Sequence, residues 1–225
     1  MNVISAIFTK QMNDLPKNIS VLSLFVLWPV MALIMGGVVG EPEVQAGMFI
    51  AMLIGSGPMI AIANNVAEDC EYKSLRFLVM AGVKPWQYLL GLAGSVFLAS
   101  VLSFAVLALI GGIGGTLLIR VSIVAALGLV ASAILGGAIG IFAKNVQQAT
   151  AIYTPFMMVL AFTPMLAAFN ETIARVAEFL FSFQVLVVIF DPYADFLRAL
   201  LVIAGNTIVL LAFFIFAYRK KGLKG

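Results

Sequence analysis

The chain has 225 residues, of which 63% are hydrophobic and only 10% are charged. Soluble domains are typically about 45–50% apolar and about 25% charged, so this composition excludes an ordinary soluble fold. The net charge of +3 is less informative, because in membrane proteins the placement of charges matters more than their sum. The chain has one cysteine and no histidine, which excludes an internal disulfide and a Cys/His zinc site.

Residues 1–18 form the first distinct segment. They carry Lys10, Asp14 and Lys17 and contain no apolar run leading to a small-residue cleavage site, so we expect no removable signal peptide. Helical spacing places four apolar residues on one face, namely Ile4, Phe8, Met12 and Leu15. The segment is therefore predicted to be an amphipathic interfacial helix before the first span.

Six charge-free apolar stretches of about 20 residues follow, each long enough to cross a hydrocarbon core of about 30 Å. They are Ile19–Val39, Ala46–Val66, Tyr88–Ile110, Val121–Ala143, Ala149–Phe169 and Ala199–Tyr218. Four prolines inside these stretches would kink the helices: Pro29, Pro58, Pro155 and Pro164. We predict an all-α polytopic membrane protein with six transmembrane helices and a single domain, residues 1–225.

A seventh apolar run, Val176–Phe190, is interrupted by polar residues and would reach only about 22 Å as a helix. A seventh span would also send the basic C-terminus to the outside, against the positive-inside rule. Residues 170–197 are therefore predicted to be an extracytoplasmic re-entrant segment of two short helices. Asp191-Pro192 would end the second one, because a residue before proline disfavours helical geometry.

The distribution of Lys and Arg predicts the orientation. With six spans, ten of these residues lie on the cytoplasmic side: Lys10, Lys17, Lys73, Arg76, Lys84, Lys144, Arg219, Lys220, Lys221 and Lys224. Three lie outside: Arg120, Arg175 and Arg198. The positive-inside rule then places both termini in the cytoplasm. We expect a multi-pass protein of the cell membrane, of the prokaryotic plasma membrane type.

The predicted spans contain no Asp, Glu, Lys, Arg or His in their interiors. Proton-coupled pumps generally need an intramembrane carboxylate or histidine, and intramembrane proteases need metal ligands or a base beside the nucleophile. No phosphate loop of the G-x-x-x-x-G-K-[ST] kind is present either. If the protein moves a molecule uphill, the energy must come from another chain.

The longest cytoplasmic connection, residues 67–85, is predicted to form a short helix. Acidic residues open it and basic residues follow, which complements the helix dipole, and Asp69 and Lys73 are spaced for an i,i+4 pair. Gly82 is expected to cap this helix and Pro85 to start the next span. The apolar residues of one face are Leu75, Leu78 and Val79.

This connection resembles the permease subunits of ABC-2 type ATP-binding-cassette transporters. The resemblance lies in the run Glu68–Leu78, with its acidic pair and its Ser74 before leucine, and in Gly82–Gly91, where a Gly-Val pair precedes a tryptophan at the third span. The six spans, the interfacial helix and the re-entrant segment extend the likeness over the chain. Leu92 departs from the pattern, because many members carry a basic residue there.

The resemblance implies a transport subunit that performs no covalent chemistry and binds no cofactor. ATP and Mg²⁺ would be bound by a partner, an ATP-binding-cassette ATPase subunit, and a second permease chain, identical or related, would complete the pathway. The connection would then be the coupling helix that enters a cleft of the ATPase. Its coupling residues would be Glu68, Asp69, Glu71, Lys73, Ser74, Leu75, Arg76 and Leu78. The alternative is a helix that only rests on lipid headgroups.

A soft lining for hydrophobic or amphipathic cargo such as a peptide, drug or lipid-linked compound is predicted in the last two spans. Its residues would be Phe156, Met157, Phe162, Met165 and Asn206. Ordinary packing, lipid contact and interhelical hydrogen bonding are the alternatives. The alternative function is a passive or regulatory membrane protein, such as a channel or assembly factor, without an ATPase. Membrane lipid is an expected partner and nucleic acid is not.

Small residues four positions apart, such as Gly136 and Gly140, permit close approach of two helices. A subunit interface is one use of such a spacing, although chance matches are expected among 20 glycines.

Overall fold

The computed structural model describes residues 3–36, 41–167, 169–191 and 195–221. Helix accounts for 85% of these residues, and they contain no strand. Their helices, in chain order, are α1 (Val3–Asp14), α2 (Ile19–Ile34), α3 (Pro42–Glu71), α4 (Ser74–Met80), α5 (Pro85–Ile110), α6 (Gly115–Phe142), α7 (Val146–Ala167), α8 (Glu171–Ala177), α9 (Gln184–Phe190) and α10 (Phe196–Lys221). The all-α prediction is confirmed for this part of the chain.

Five of these helices are long and apolar enough to cross a membrane: α3, α5, α6, α7 and α10. They correspond to the second to sixth predicted spans. The first predicted span, Ile19–Val39, coincides with α2, which has 16 residues and is about 24 Å long. Residues 37–39 of that span lie outside the described residues. A membrane protein is therefore supported, and the count of six spans stays a prediction.

Helix α3 lies at the centre of the fold. In its most apolar stretch of 18 residues, 94% are buried, whereas the corresponding stretch of α10 is 11% buried. Three contacts on α3 are close because glycine has no side chain. A Cβ on Gly47 would lie 2.5 Å from Cδ1 of Ile189 on α9, one on Gly55 would lie 2.5 Å from the Leu160 carbonyl oxygen on α7, and one on Gly111 would lie 2.3 Å from Ala46 Cβ. At Gly55 the backbones of α3 and α7 therefore touch, and at the other two glycines a neighbouring side chain occupies the space that a Cβ would need.

Helix α6 contacts α3 at the proline of α3. Pro58 lacks an N–H group and interrupts the regular helical geometry, and the next N–H, that of Met59, donates to the Ser132 hydroxyl at 3.2 Å. One turn along α6, a Cβ on Gly136 would lie 2.5 Å from the Met59 carbonyl oxygen. Gly140 makes the same kind of contact with Val66, where a Cβ would lie 2.6 Å from Val66 Cβ. These two glycines thus pack inside the chain.

Polar groups attach α2 to the rest of the bundle. The Trp28 indole N–H donates to the Ser56 hydroxyl at 3.2 Å, and the Ser103 hydroxyl of α5 donates to the Phe25 carbonyl oxygen at 2.7 Å. The buried Gln45 amide donates to the Met35 carbonyl oxygen at 2.6 Å and so satisfies an acceptor at the end of α2. Hydrogen bonds in an apolar interior fix the register of α2 against α3 and α5.

The segment between α7 and α10 contains the two short helices α8 and α9. Asn170 caps α8 by accepting from the N–H groups of Thr172 and Ile173, and α9 ends at Phe190, before Asp191. Most of α9 is buried, and the Ser182 hydroxyl donates to the Leu160 carbonyl oxygen at 2.6 Å. Pro192 lies outside the described residues. That this segment is extracytoplasmic and re-entrant stays a prediction.

Candidate functional site

The connection between α3 and α5 contains the predicted coupling residues and differs from the prediction in one respect. The sequence predicted one short helix opened by Glu68, Asp69 and Glu71. Instead, these acids form the last turn of α3, and the helix stops at Glu71. Lys73 then adopts a φ of 59°, a left-handed conformation that costs a non-glycine residue roughly 1–2 kcal/mol. The predicted i,i+4 arrangement of Asp69 and Lys73 is therefore wrong.

Hydrogen bonds to Asp69 explain why the chain turns here. The Ser74 hydroxyl donates to Asp69 Oδ1 at 3.0 Å, and the Tyr88 hydroxyl donates to Asp69 Oδ2 at 2.5 Å. Both carboxylate oxygens are therefore used, one by the start of α4 and one by α5. We call Asp69, Ser74 and Tyr88 the polar junction. Hydrogen bonds to a carboxylate are stronger than neutral ones, and they offset both the strained turn and the unfavourable dipole at the end of α3.

The end of α4 agrees with the prediction. Gly82 has a φ of 80°, and the Val83 N–H donates to the Leu78 carbonyl oxygen at 3.0 Å, which together form a Schellman cap. Pro85 is the first residue of α5. Because both ends of α4 are fixed, the seven-residue helix is a defined unit between two long helices.

One side of this connection exposes apolar side chains. Tyr72 is 72% exposed, and Phe77 and Met80 are each 66% exposed, whereas Leu78 packs against the core. We call Tyr72, Phe77 and Met80 the exposed apolar edge. The side chains of Leu75 and Arg76 lie outside the described residues. The sequence analysis did not select the exposed apolar edge. It considered the apolar face of a longer helix that begins at Glu68, whereas α4 begins at Ser74.

Glu71 has a role that the sequence did not suggest. Its Oε2 atom accepts from the Val146 N–H, the first residue of α7, at 3.3 Å. The first N–H groups of a helix have no partner within that helix, and a carboxylate there also interacts favourably with the positive end of the helix dipole. The end of α3 is therefore attached to α7 as well as to α4 and α5.

Helix α1 lies beside this site. A Cβ on Gly91 of α5 would lie 2.8 Å from Ile7 Cβ, so α1 packs closely on the beginning of α5. The buried residues of α1 are Ile7 and Gln11, while the four apolar residues that the sequence selected are only half-buried. A polar cleft of about 610 Å³ separates α1 from the end of α3. It is lined by Lys10, Gln11, Asp14, Lys17, Asn18, Ile19, Asn65, Glu68, Asp69, Tyr72 and Ser74.

The predicted cargo residues do not form one lining. Phe156 and Asn206 line a groove of about 390 Å³ between α6, α7 and α10, together with Pro155, Val159 and Leu210. Met157 packs against the core, and Phe162 and Met165 are each 37% exposed outside this groove. The Asn206 amide donates to the carbonyl oxygens of Phe179 and Val202 at 2.9 and 2.8 Å, so it bonds both to the turn between α8 and α9 and within α10.

Among the residues that the structure describes, no three Cys, Asp or Glu side chains come together in a way that could hold a metal ion. Comparison with models of known protein families gives no match, and comparison with curated proteins gives none. The function is therefore inferred from the residues and geometry given above.

Proposed function

We propose that the chain is the membrane-spanning permease subunit of an ATP-driven exporter of the ABC-2 type. The observation that carries the proposal is the polar junction, which links an exposed short helix to two long apolar helices through one carboxylate. Asp69 belongs to α3 and accepts hydrogen bonds from Ser74 at the start of α4 and from Tyr88 of α5. A movement of α4 would therefore be transmitted directly to α3 and α5. The exposed apolar edge offers the surface on which a partner would act.

The proposal includes six spans with both termini in the cytoplasm, so that α2 also crosses the membrane. The residues of α2 carry no charge, and Leu33 and Ile34 are 65% and 71% exposed, which suits contact with hydrocarbon. Ten Lys and Arg residues then lie on the side of α4 and three on the opposite side. This orientation puts α4 where a cytoplasmic ATPase would reach it.

In this proposal two permease chains associate with two ATPase chains, which bind ATP and Mg²⁺. Closure of the ATPase pair moves α4 and switches the permease pair between two packings. The cargo is hydrophobic or amphipathic, because the spans provide no fixed charge that would select an ion. The groove lined by Phe156 and Asn206 supports this, since nearly all of its lining is apolar.

The test is purification of the tagged full-length chain from its source membrane in mild detergent. We expect an ATPase with ATP-binding-cassette motifs to co-purify, and reconstituted complexes to hydrolyse ATP in liposomes. If no such ATPase is retained by the wild-type chain, the proposed function is wrong and the passive or regulatory alternative is favoured.

A matched pair of variants tests the exposed apolar edge separately. Phe77→Glu places a charge on α4 and should lower ATPase retention at least about tenfold, because a buried unpaired charge disrupts an apolar contact. Phe169→Glu changes a residue that is 76% exposed at the end of α7 and should retain the ATPase. Equal retention by both variants would exclude α4 as the contact surface. It would not contradict the presence of an ATPase partner, which the wild-type purification tests.

A further inference from the structure

An apolar groove of about 470 Å³ lies between α5, α6 and α10 and is distinct from the groove lined by Phe156 and Asn206. Its volume is within the range of about 300–1,000 Å³ that is usual for ligand sites. Every lining side chain is apolar, and small residues create the space. The main lining residues are Leu90, Ala93, Phe97, Ala133, Gly137 and Phe214. A groove of this chemistry does not hold water, so hydrocarbon is its natural occupant.

The three walls of the groove end together. Residues from the first half of α5 face residues from the second halves of α6 and α10, so the start of α5 lies near the ends of the other two helices. At this end, each of the three helices has a basic residue in its last turn or just beyond its terminus. Lys84 precedes α5, Lys144 follows α6, and Arg219 belongs to the last turn of α10. All three residues are exposed.

Aromatic residues lie between the groove and these cations. Trp86 is 52% exposed in the first turn of α5, four residues before Leu90. On α10 the Tyr218 ring stacks on the Phe214 ring, with centroids 6.3 Å apart and planes at 16°. Tryptophan and tyrosine prefer the headgroup level of a bilayer. The groove therefore passes from hydrocarbon to an aromatic level and then to positive charge, which is the order of parts in an anionic phospholipid.

We propose that this groove binds one acyl chain of an anionic phospholipid, whose phosphate is held by Lys84, Lys144 and Arg219. Basic pockets at the ends of transmembrane helices attract anionic headgroups, and each cation contributes about fivefold to the affinity. The acyl chain of this lipid is surrounded by three helices, whereas a lipid on the exposed face of α10 contacts only that helix. The site requires neither an ATPase nor a second permease chain, so it is independent of the proposed function.

The acyl part is tested by filling the groove. The full-length chain in mild detergent is incubated with dioleoyl phosphatidylglycerol, and retained lipid is counted by native mass spectrometry. Ala93→Phe places a ring in the groove and should abolish the first retained lipid. Ala105→Phe adds the same ring to an exposed position of α5 outside the groove and should retain it. Equal retention by Ala93→Phe and wild type would overturn the proposal.

The headgroup part is tested with charge variants that leave the groove intact, so it does not depend on how well Ala93→Phe folds. Replacing Lys84, Lys144 and Arg219 with Gln should reduce the preference for dioleoyl phosphatidylglycerol over dioleoyl phosphatidylcholine by at least about tenfold. The control removes three other exposed cations of the same predicted side, Lys10, Lys17 and Lys73. An unchanged preference in the first triple variant, or an equal loss in both, would overturn the assignment of the headgroup site.

Discussion

The contact between α6 and α3 makes a quantitative prediction for Gly136→Ala. The added Cβ would lie 2.5 Å from the Met59 carbonyl oxygen, 2.9 Å from Met59 Cα and 3.0 Å from the Met59 carbonyl carbon. Ordinary van der Waals contact begins at 3.4 Å, so the two helices must separate by roughly 0.9 Å at this point. All three atoms belong to the backbone of a buried helix, and no side chain can rotate to make room.

The expected cost follows from two opposing effects. Alanine in a helix interior is more favourable than glycine by about 0.5–1 kcal/mol. Overpacking a close contact costs about 1–3 kcal/mol, and a rigid backbone favours the upper part of that range. We therefore expect Gly136→Ala to be destabilised by about 1–2 kcal/mol. For a chain of this size that corresponds to a fall in melting temperature of about 2–8 °C.

The assay is thermal unfolding in mild detergent, followed by tryptophan fluorescence. Gly205→Ala is the matched control, because it changes a glycine inside α10 that has no atom within 4 Å of the added Cβ. It should melt at the wild-type temperature or slightly above, since only the helix propensity changes. If Gly136→Ala melts as high as Gly205→Ala, α6 and α3 do not meet with the backbone contact described above.

Other substitutions test separate features by the same thermal assay. Ser132→Ala removes the hydroxyl that accepts from the Met59 N–H and should destabilise the protein by about 1 kcal/mol, whereas a value near zero would mean that this N–H has another partner. Tyr88→Phe leaves one oxygen of the half-buried Asp69 carboxylate without its donor and should cost about 1–3 kcal/mol, because hydrogen bonds to charged groups are the stronger ones; the loss should exceed that of Thr9→Ala on the exposed side of α1, and equal losses would contradict the polar junction. Arg198→Ala breaks the ion pair with Glu178, but both side chains are more than a third exposed, so a loss above about 1 kcal/mol would contradict our view of a solvent-screened pair.

Hydropathy predicted the long helices well, because five of the six apolar stretches coincide with helices long enough to span a membrane. It could not predict which of them is central. Lipid is as apolar as a protein core, so a buried helix and a lipid-facing helix look alike on a hydropathy scale. The useful signal was composition, since α3 combines three glycines with Gln45 and Ser56, while α10 presents large residues such as Leu201 and Phe216 to the outside.

The polar junction was only partly predictable. Asp69 and Ser74 were selected from the sequence, but Tyr88 was read as the first apolar residue of a span, and its partnership with Asp69 joins residues that are 19 positions apart. The end of α3 at Glu71 was missed because the turn after it depends on a left-handed conformation at Lys73. Residues other than glycine seldom adopt this conformation, so nothing in the local sequence indicates it. Tertiary hydrogen bonds decided this boundary, and local propensity could not anticipate them.

The central position of α3 also limits how its length can change. Along this helix Gly47 faces α9, Gly55 faces α7, Met59 faces α6, and Asp69 faces α4 and α5. Inserting a single residue between Gly47 and Asp69 would rotate one end relative to the other by about 100° and shift it by about 1.5 Å. One set of contacts would then be lost whichever end stayed in place. Helix α10 is mostly exposed to its surroundings, so a single-residue insertion there would disturb fewer contacts.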